Sequence, residues 1–287
     1  MLTHSDFCTF ILSHGRPNNI KTLHPLLDAG NYSGPWYIII DNEDPTAETY
    51  YQLYGRDRVI MFDKEAEARR LDIADNFVHM SRKTITYARN ACYDIAKNLG
   101  YTYFWQLDDD YYQFRYVVNS AGKYVYHSIR HMDEALNATL DYYKSVPSLT
   151  LLSWMQGGDL LGGNNSHSLV RVTRKAMNSF ICSTERPIKF RGRMNEDVNT
   201  YVSEGNRGKL IMMANRAGIL QTTTQSSDGG ITELYKACGT YTKSMYTVMH
   251  MPSAVKVGMM HSSNPRIHHT INWNNCVPKI IRQELKK

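Results

Sequence analysis

Short apolar runs alternate with periodic, half-polar stretches over the first 110 residues, and the alternation predicts strands that feed helices. Residues 7–12 are apolar and end in Ser13-His14-Gly15-Arg16-Pro17. A helical pattern of Ile20, Leu23, Leu26 and Leu27 follows and stops at Gly30, with Pro25 expected to kink it or mark its restart. Residues 36–40 predict a second buried strand, closed by Asp41-Asn42-Glu43-Asp44-Pro45. Thr46 is placed to cap a helix through Tyr50 and Leu53 to Gly55, and residues 58–62 predict a third strand. After a charged, weakly periodic stretch, Ile85, Ala88, Cys92, Ile95 and Leu99 mark a helix over residues 84–99 that Gly100 terminates. It leads into Tyr-Thr-Tyr-Phe-Trp-Gln-Leu-Asp-Asp-Asp-Tyr, residues 101–111, where an apolar strand breaks into Asp108, Asp109 and Asp110.

Beyond the aspartates the rhythm changes. Residues 114–118 and 124–126 flank Asn119-Ser120-Ala121-Gly122 as a hairpin, and Met132, Ala135, Leu136, Leu140 and Tyr143 line a helix over 131–144. Strands are expected at 149–155, 168–173, 210–213 and 219–224, with a glycine-rich loop at 156–165 and another loop at 225–230. A short helix bearing Val198, Tyr201 and Val202 follows Asn195-Glu196-Asp197 and ends near Gly205. The tail contributes extended segments at 254–261 and 266–273. Strands alternating with helices imply an α/β fold: a mixed, mainly parallel, doubly wound sheet with helices on both faces, whose ligands sit beyond the carboxyl ends of the strands. Ser13 to Arg16, Asp41 to Asp44 and Asp108 to Asp110 all lie at such ends, so the three polar clusters should converge on one crevice. No internal repeat interrupts the chain, and 287 residues suit one embellished domain.

Composition narrows the partners. No apolar run approaches the roughly 20 residues of a membrane helix, and Met-Leu-Thr-His-Ser-Asp lacks the features of a leader, so a cytoplasmic protein without membrane contact is expected. Cys8, Cys92, Cys182, Cys238 and Cys276 are scattered and odd in number, which argues against a disulfide framework or a zinc knuckle. A net charge of +6 with 11 histidines suits a polyanionic partner and is also ordinary for an enzyme.

Three adjacent carboxylates at a strand end need compensation, and Mg²⁺ or Mn²⁺ bridging carboxylates to a diphosphate supplies it; a solvated acidic turn gives the same pattern. Asp110 is the leading metal ligand, with Asp108 placed for ribose or a second metal contact. His268 or His269 would complete the site, with His261 behind them; neighbours on a strand face opposite ways, so one of the pair ligates. Otherwise each is a structural histidine. Glu196-Asp197 at a helix start is the best general base, although Asn195 or Asp197 also suits a plain N-cap. Arg16 and Arg89 offer planar forks to phosphate, or pair with surface acids. Asp41 suits a nucleoside hydroxyl or base, or is a turn residue. The loop with Gly157, Gly158 and Asp159 lets an acceptor approach closely, and Arg186, Lys189, Arg191 and Arg193 around Phe190 form a basic patch, unless both are solvated surface.

The blocks Ile-Leu-Ser-His-Gly-Arg-Pro (11–17), Tyr-Ile-Ile-Ile-Asp-Asn-Glu-Asp (37–44), Tyr-Ala-Arg-Asn-Ala-Cys (87–92), Leu-Asp-Asp-Asp-Tyr (107–111), Asn-Glu-Asp-Val (195–198) and Arg-Ile-His-His-Thr-Ile-Asn-Trp (266–273) resemble the GT-A glycosyltransferases found beside TET/JBP-type hydroxylases, a group that includes phage DNA-modifying enzymes. The resemblance implies a GT-A fold and a donor half over 1–112, with an acceptor half over 113–287 that closes the metal site. It also implies a UDP-sugar donor of the glucose or arabinose class, Mn²⁺ or Mg²⁺, and a 5-hydroxymethylcytosine or 5-hydroxymethyluracil acceptor in DNA. On this chain Asp108 and Asp110 match its metal motif, Arg89 and Asn90 its helix motif, and Glu196-Asp197 its acidic pair. Together with the residue reading above, the donor is expected at Ser13, His14, Gly15, Arg16, Asp41, Arg89, Asn90, Asp108 and Asp109, the metal at Asp108 and Asp110 with a histidine, catalysis at Glu196 and Asp197, and acceptor contacts at Gly157, Gly158, Asp159, Arg191 and Arg193. Transfer to a protein or glycan, a nucleotidyltransferase that makes the activated sugar, and a non-catalytic DNA-binding module stand as alternatives.

Overall fold

The computed structural model describes residues 1–71, 75, 84–118, 124–156, 170–171, 176–222, 232–260 and 265–277. Its centre is a ten-stranded sheet. The strands are β1 (Phe7–Leu12), β2 (Trp36–Asp41), β3 (Val59–Phe62), β4 (Tyr103–Asp108), β5 (Tyr111–Val118), β6 (Tyr124–Ser128), β7 (Leu149–Gln156), β8 (Val170–Arg171), β9 (Phe180–Ser183) and β10 (Leu210–Gln221). They lie in the order β3-β2-β1-β4-β9-β7-β10-β5-β6, with β8 also on β10. Strands β1 to β4 are mutually parallel, and the antiparallel pairings involve β5, β8 and β9, which run against the rest. The sheet is therefore mixed, with most strands in one direction.

Helices cover both faces, which is why the first strands read as unbroken apolar runs. On one side Phe7 and Ile11 of β1 and Trp105 of β4 pack with Tyr50 of α1 (Ala47–Tyr54) and with Met132, Leu136 and Leu140 of α4 (Met132–Ser145). On the other side Cys8, Phe10 and Phe104 meet Tyr87, Ala91 and Cys92 of α3 (Thr86–Asn98) and Val198 and Val202 of α5 (Glu196–Asn206). Gly100, at φ 83, ends the turn after α3 as its sequence position implies.

Several local expectations change. The segment after β1 forms a single π-turn, His24–Asp28, because Pro25 near its start has no N–H to extend a longer helix. Thr46 stands at the N-cap of α1, but its hydroxyl donates to Asp44 Oδ1. The charged stretch after β3 holds α2 (Lys64–Arg69), capped by Asp63, which accepts from Ala66 N. The two strands expected at 210–213 and 219–224 are one, β10, whose register against β7 jumps between Ala214 and Gly218. Gly218 lets the backbones approach closely there, since a Cβ would lie 3.0 Å from Met155 O.

Strand β9, inserted between β4 and β7, and α6 (Thr232–His250) carried no clear sequence signal. The tail forms a separate two-stranded sheet, β11 (Val255–Met260) with β12 (Arg266–Ile271), placed beside α5 and α6 by a Tyr201–Trp273 stack and a Ser244 hydroxyl that donates to Ile267 O. No helix among the described residues is long and apolar enough to cross a membrane.

Candidate active site

Strand β1 pairs on one side with β2 and on the other with β4, Leu12 lying against both Ile39 and Asp108. The polar residues that follow these strands therefore open at one sheet edge, as expected of a parallel arrangement. Ser13 Oγ donates to Asp109 Oδ2 at 2.6 Å, Arg16 Nη2 lies 3.1 Å from Asp109 Oδ1, and Gly15 N donates to Asp44 Oδ2 at 2.7 Å. His14 Nδ1 reaches Asp41 Oδ2 at 2.8 Å. Thr22 ties the third cluster in, its hydroxyl donating to Asp108 O and its N–H to Asp109 O. The three clusters form one hydrogen-bonded network.

From the opposite direction α5 brings its acidic start to the same place. Arg89 of α3 is 1 % exposed and joins the two parts: Nη2 donates to Asp108 Oδ1 at 2.9 Å and Nε to Glu196 Oε1 at 3.1 Å. Its guanidinium also lies over the Phe180 ring, 4.9 Å from the centroid, so β9 supplies one wall of the brace. Asn195, at φ 53, precedes α5 and donates its amide to Lys243 O and to Thr247 Oγ1, locking α6 onto the start of α5. Neither Asn195 nor Asp197 serves as a plain side-chain cap; Asp197 Oδ1 accepts from Val198 N.

Burial dominates the electrostatics. Asp108 is pushed up to about 6 by burial, against the pull of Arg89 and with the charges of Asp110 and Glu196 adding to it. Asp109 rises to about 6 by burial despite Arg16 and Ser13, and Asp110 rises to about 6 by burial and the charge of Asp109. Asp197 is driven up to about 7 by burial and then by Glu196. Asp41 is held below its ordinary value: burial alone would raise it, and His14 and Lys64 outweigh burial.

Several assigned residues turn out to face inward. Arg89 is not a surface arginine: it is buried, and its Nε and Nη2 are spent on carboxylates, so it braces the site. Asn90 donates to Phe190 O and accepts from Phe190 N, which ties α3 to the segment before α5. Asp109 is 1 % exposed; it anchors Arg16 and Ser13 and does not meet a ligand itself. Ser13, the Gly15 N–H and Asp41 are likewise engaged within the protein. His14 keeps an exposed side chain, 43 %, and Arg16 a partly exposed one, 33 %.

Arg193 is buried and paired with Asp75 at 2.9 Å, and Arg191 binds Glu204 at 3.0 Å, so they do not form the expected open basic patch. Gly157, Gly158 and Asp159 lie outside the described residues. Lys64, whose Nζ donates to Asp41 Oδ1, and Tyr50, whose hydroxyl accepts from Arg16 N, complete the network; neither stood out in the sequence, because only the fold brings them to the strand ends.

The charge of this edge suits a divalent cation: the five carboxylates of Asp108, Asp109, Asp110, Glu196 and Asp197 outnumber the four cations that act on them from within the fold, Arg16, Lys21, Arg89 and Lys243, and oxygen donors suit Mg²⁺ or Mn²⁺. Among the described residues no three His, Cys, Asp or Glu side chains are grouped to hold a metal, and β12, with His268 and His269, belongs to the two-stranded C-terminal sheet. His268 and His269 do not face apart either; their rings lie 4.1 Å from each other. His261 lies outside the described residues.

Comparison with curated proteins finds no match. Among solved structures, glucosyl-3-phosphoglycerate synthase from Mycobacterium tuberculosis in complex with Mn²⁺, UDP-glucose and phosphoglyceric acid is similar with a TM-score of 0.48 and 10% identity, over 91% of this chain and 85% of that one. The same enzyme with Mg²⁺ and UDP gives 0.48 and 10%, over 92% and 86%. A likeness this distant does not say what the present chain binds. The family model of the TET-Associated Glycosyltransferases matches residues 7–230, more than half of the chain, and the protein belongs to that family.

Proposed function

We propose that the protein transfers a sugar from a UDP-sugar to the hydroxyl of a 5-hydroxymethylpyrimidine in DNA. The observation that carries the reading is the buried bridge Asp108–Arg89–Glu196, which fixes a strand-end carboxylate and an acidic helix start in one site. Transfer needs both: compensation for charge on the departing diphosphate, and a base for the incoming hydroxyl. The family name supplies the reaction class, and the net charge of +6 suits a polyanionic acceptor.

Asp108 and Asp110 are the residues to hold Mg²⁺ or Mn²⁺, which when bound offsets the negative charge of a diphosphate. Arg16, oriented by Asp109, offers its partly exposed guanidinium to the same phosphates. Asp197 accepts the acceptor hydroxyl's proton as the bond from the sugar to the new oxygen forms and the bond to the diphosphate oxygen breaks. Glu196 is held by Arg89, and its charge helps keep Asp197 basic enough for that task. In this reading residues 1–112 bind the donor, and 113–287 hold the base and meet the acceptor.

The test incubates the protein with Mn²⁺, UDP-glucose or UDP-arabinose, and DNA containing hydroxymethylcytosine or hydroxymethyluracil, followed by digestion and mass spectrometry of the nucleosides. A hexose or pentose mass added to the modified nucleoside is expected. Unchanged nucleosides with every donor would refute the proposal.

A further inference from the structure

Asp41 and His14 stand at the ends of neighbouring strands, and the structure divides their work. The Asp41 side chain is 7 % exposed, and its oxygens are committed: Oδ1 accepts from Lys64 Nζ at 3.2 Å and Glu43 N at 3.0 Å, and Oδ2 meets His14 Nδ1 at 2.8 Å. An ionised carboxylate only accepts, so Nδ1 of His14 carries the hydrogen. In the neutral ring Nε2 is then an acceptor. The ring is 43 % exposed, and among the described residues its Nε2 makes no hydrogen bond. The following residue, Gly15, takes φ 70 and donates its N–H to the buried Asp44, which fixes the loop that carries the imidazole.

His14 thus presents an exposed acceptor in an enforced tautomer beside the strand ends. Pyrimidines differ at this point: N3 of uracil carries a hydrogen and donates, whereas N3 of cytosine has a lone pair and accepts. We propose that His14 selects the base of the donor nucleotide, its Nε2 accepting the N3–H of uracil, with Asp41 as a positioning residue that sets the tautomer. The inference rests on the reading above that the donor is a nucleoside-diphosphate sugar. It moves the base contact from Asp41, which is turned inward, to the exposed ring that Asp41 holds.

The test is calorimetric binding of UDP and of CDP, each with MnCl₂ at pH 8, to the full chain and to its His14→Ala and Asp41→Asn variants. The unsubstituted protein should prefer UDP by about tenfold or more, the scale of one well-placed hydrogen bond against a clash of two acceptors. His14→Ala should bring the UDP-to-CDP ratio close to one. Asp41→Asn, whose amide can donate to Nδ1, should move the hydrogen to Nε2 and lower the ratio, with the ¹⁵N shifts of the His14 ring reporting the tautomer change. In the unsubstituted protein those shifts should respond to UDP and much less to CDP, a readout that does not depend on any variant folding.

If the unsubstituted protein prefers UDP and His14→Ala keeps that ratio, or if the ring shifts ignore UDP binding, the assignment of His14 is overturned while the donor reading stands. Protein that binds neither nucleotide removes both.

Discussion

Arg89→Met tests whether one guanidinium holds the site together. The substitution keeps an unbranched side chain of similar length in α3 and removes the charge that faces Asp108 and Glu196, whose side chains are 18 % and 9 % exposed. Two carboxylates are then left in a desolvated setting without their cation. Removing one partner of a buried pair costs about 3–5 kcal/mol. That is a large part of the roughly 5–15 kcal/mol by which a domain is stable. At roughly 2–4 °C per kcal/mol for a protein somewhat smaller than this one, the midpoint should fall by roughly 6–20 °C. Urea titration and thermal melts monitored by circular dichroism measure both quantities. Arg89→Met/Glu196→Gln separates a brace from mere packing: neutralising one of the stranded acids should recover a measurable part of the loss, a coupling that independent sites do not show. A single variant within about 1 kcal/mol of the parent, or a double variant no better than the single, would refute the assignment of Arg89 as the brace.

Asp197→Asn should lower turnover by about 10²–10⁴-fold, the usual contribution of a general base, measured as initial rates of sugar transfer. Because Asp197 titrates near 7 in the fold and must be ionised to take a proton, the rate of the unsubstituted enzyme should rise with pH, reach half its plateau near 7, and flatten above; the residual rate of Asp197→Asn should lack that limb. Mn²⁺ at a hundred times its dissociation constant should stabilise the protein by about 2.7 kcal/mol. Calorimetry should find the ion's affinity strongly reduced by Asp110→Ala and unchanged by His268→Ala/His269→Ala. Gly205→Ala should destabilise by about 1–3 kcal/mol in urea, since its Cβ would run into the backbone carbonyl of Cys276, which cannot give as a flexible side chain would.

The donor-side half was legible because its strands are buried on both faces and its helices are punctuated by glycine, so period and turn chemistry agree. The later half hides its elements for a physical reason visible in α6. Among its described side chains Ser244, Tyr246 and Thr247 are buried while Tyr241, Met245 and Met249 are exposed, so polar and apolar residues share both faces and no clean stripe marks the helix. Strand β9 offers only Phe-Ile-Cys-Ser, too short for an alternation to register. The two-strand reading of β10 left 214–218 unassigned; there the register against β7 shifts between Ala214 and Gly218, and pairing with β5 from Ala217 onward carries the strand through.

Within the candidate site the sequence placed the three strand-end clusters together, as the hydrogen bonds have them, and left open which way each side chain turns. The three aspartates illustrate the difference. Alternation along β4 places Trp105 and Leu107 in the layer with Tyr50, and Phe104 in the layer with α3. Carried past the strand end, the same period sends Asp108 toward Arg89 of α3 and Asp109 toward Ser13 beside Tyr50, as the hydrogen bonds have it. Adjacent residues of one type therefore do unlike work: Asp109 orders the loop after β1, whereas Asp108 and Asp110 remain for the ligand side. What alternation could not supply was Glu196, whose place beside Arg89 depends on the insertion of β9 and the docking of α5. That long-range contact is also what brings the acidic start of α5 to the strand-end carboxylates, so the least legible part of the fold completes the proposed site.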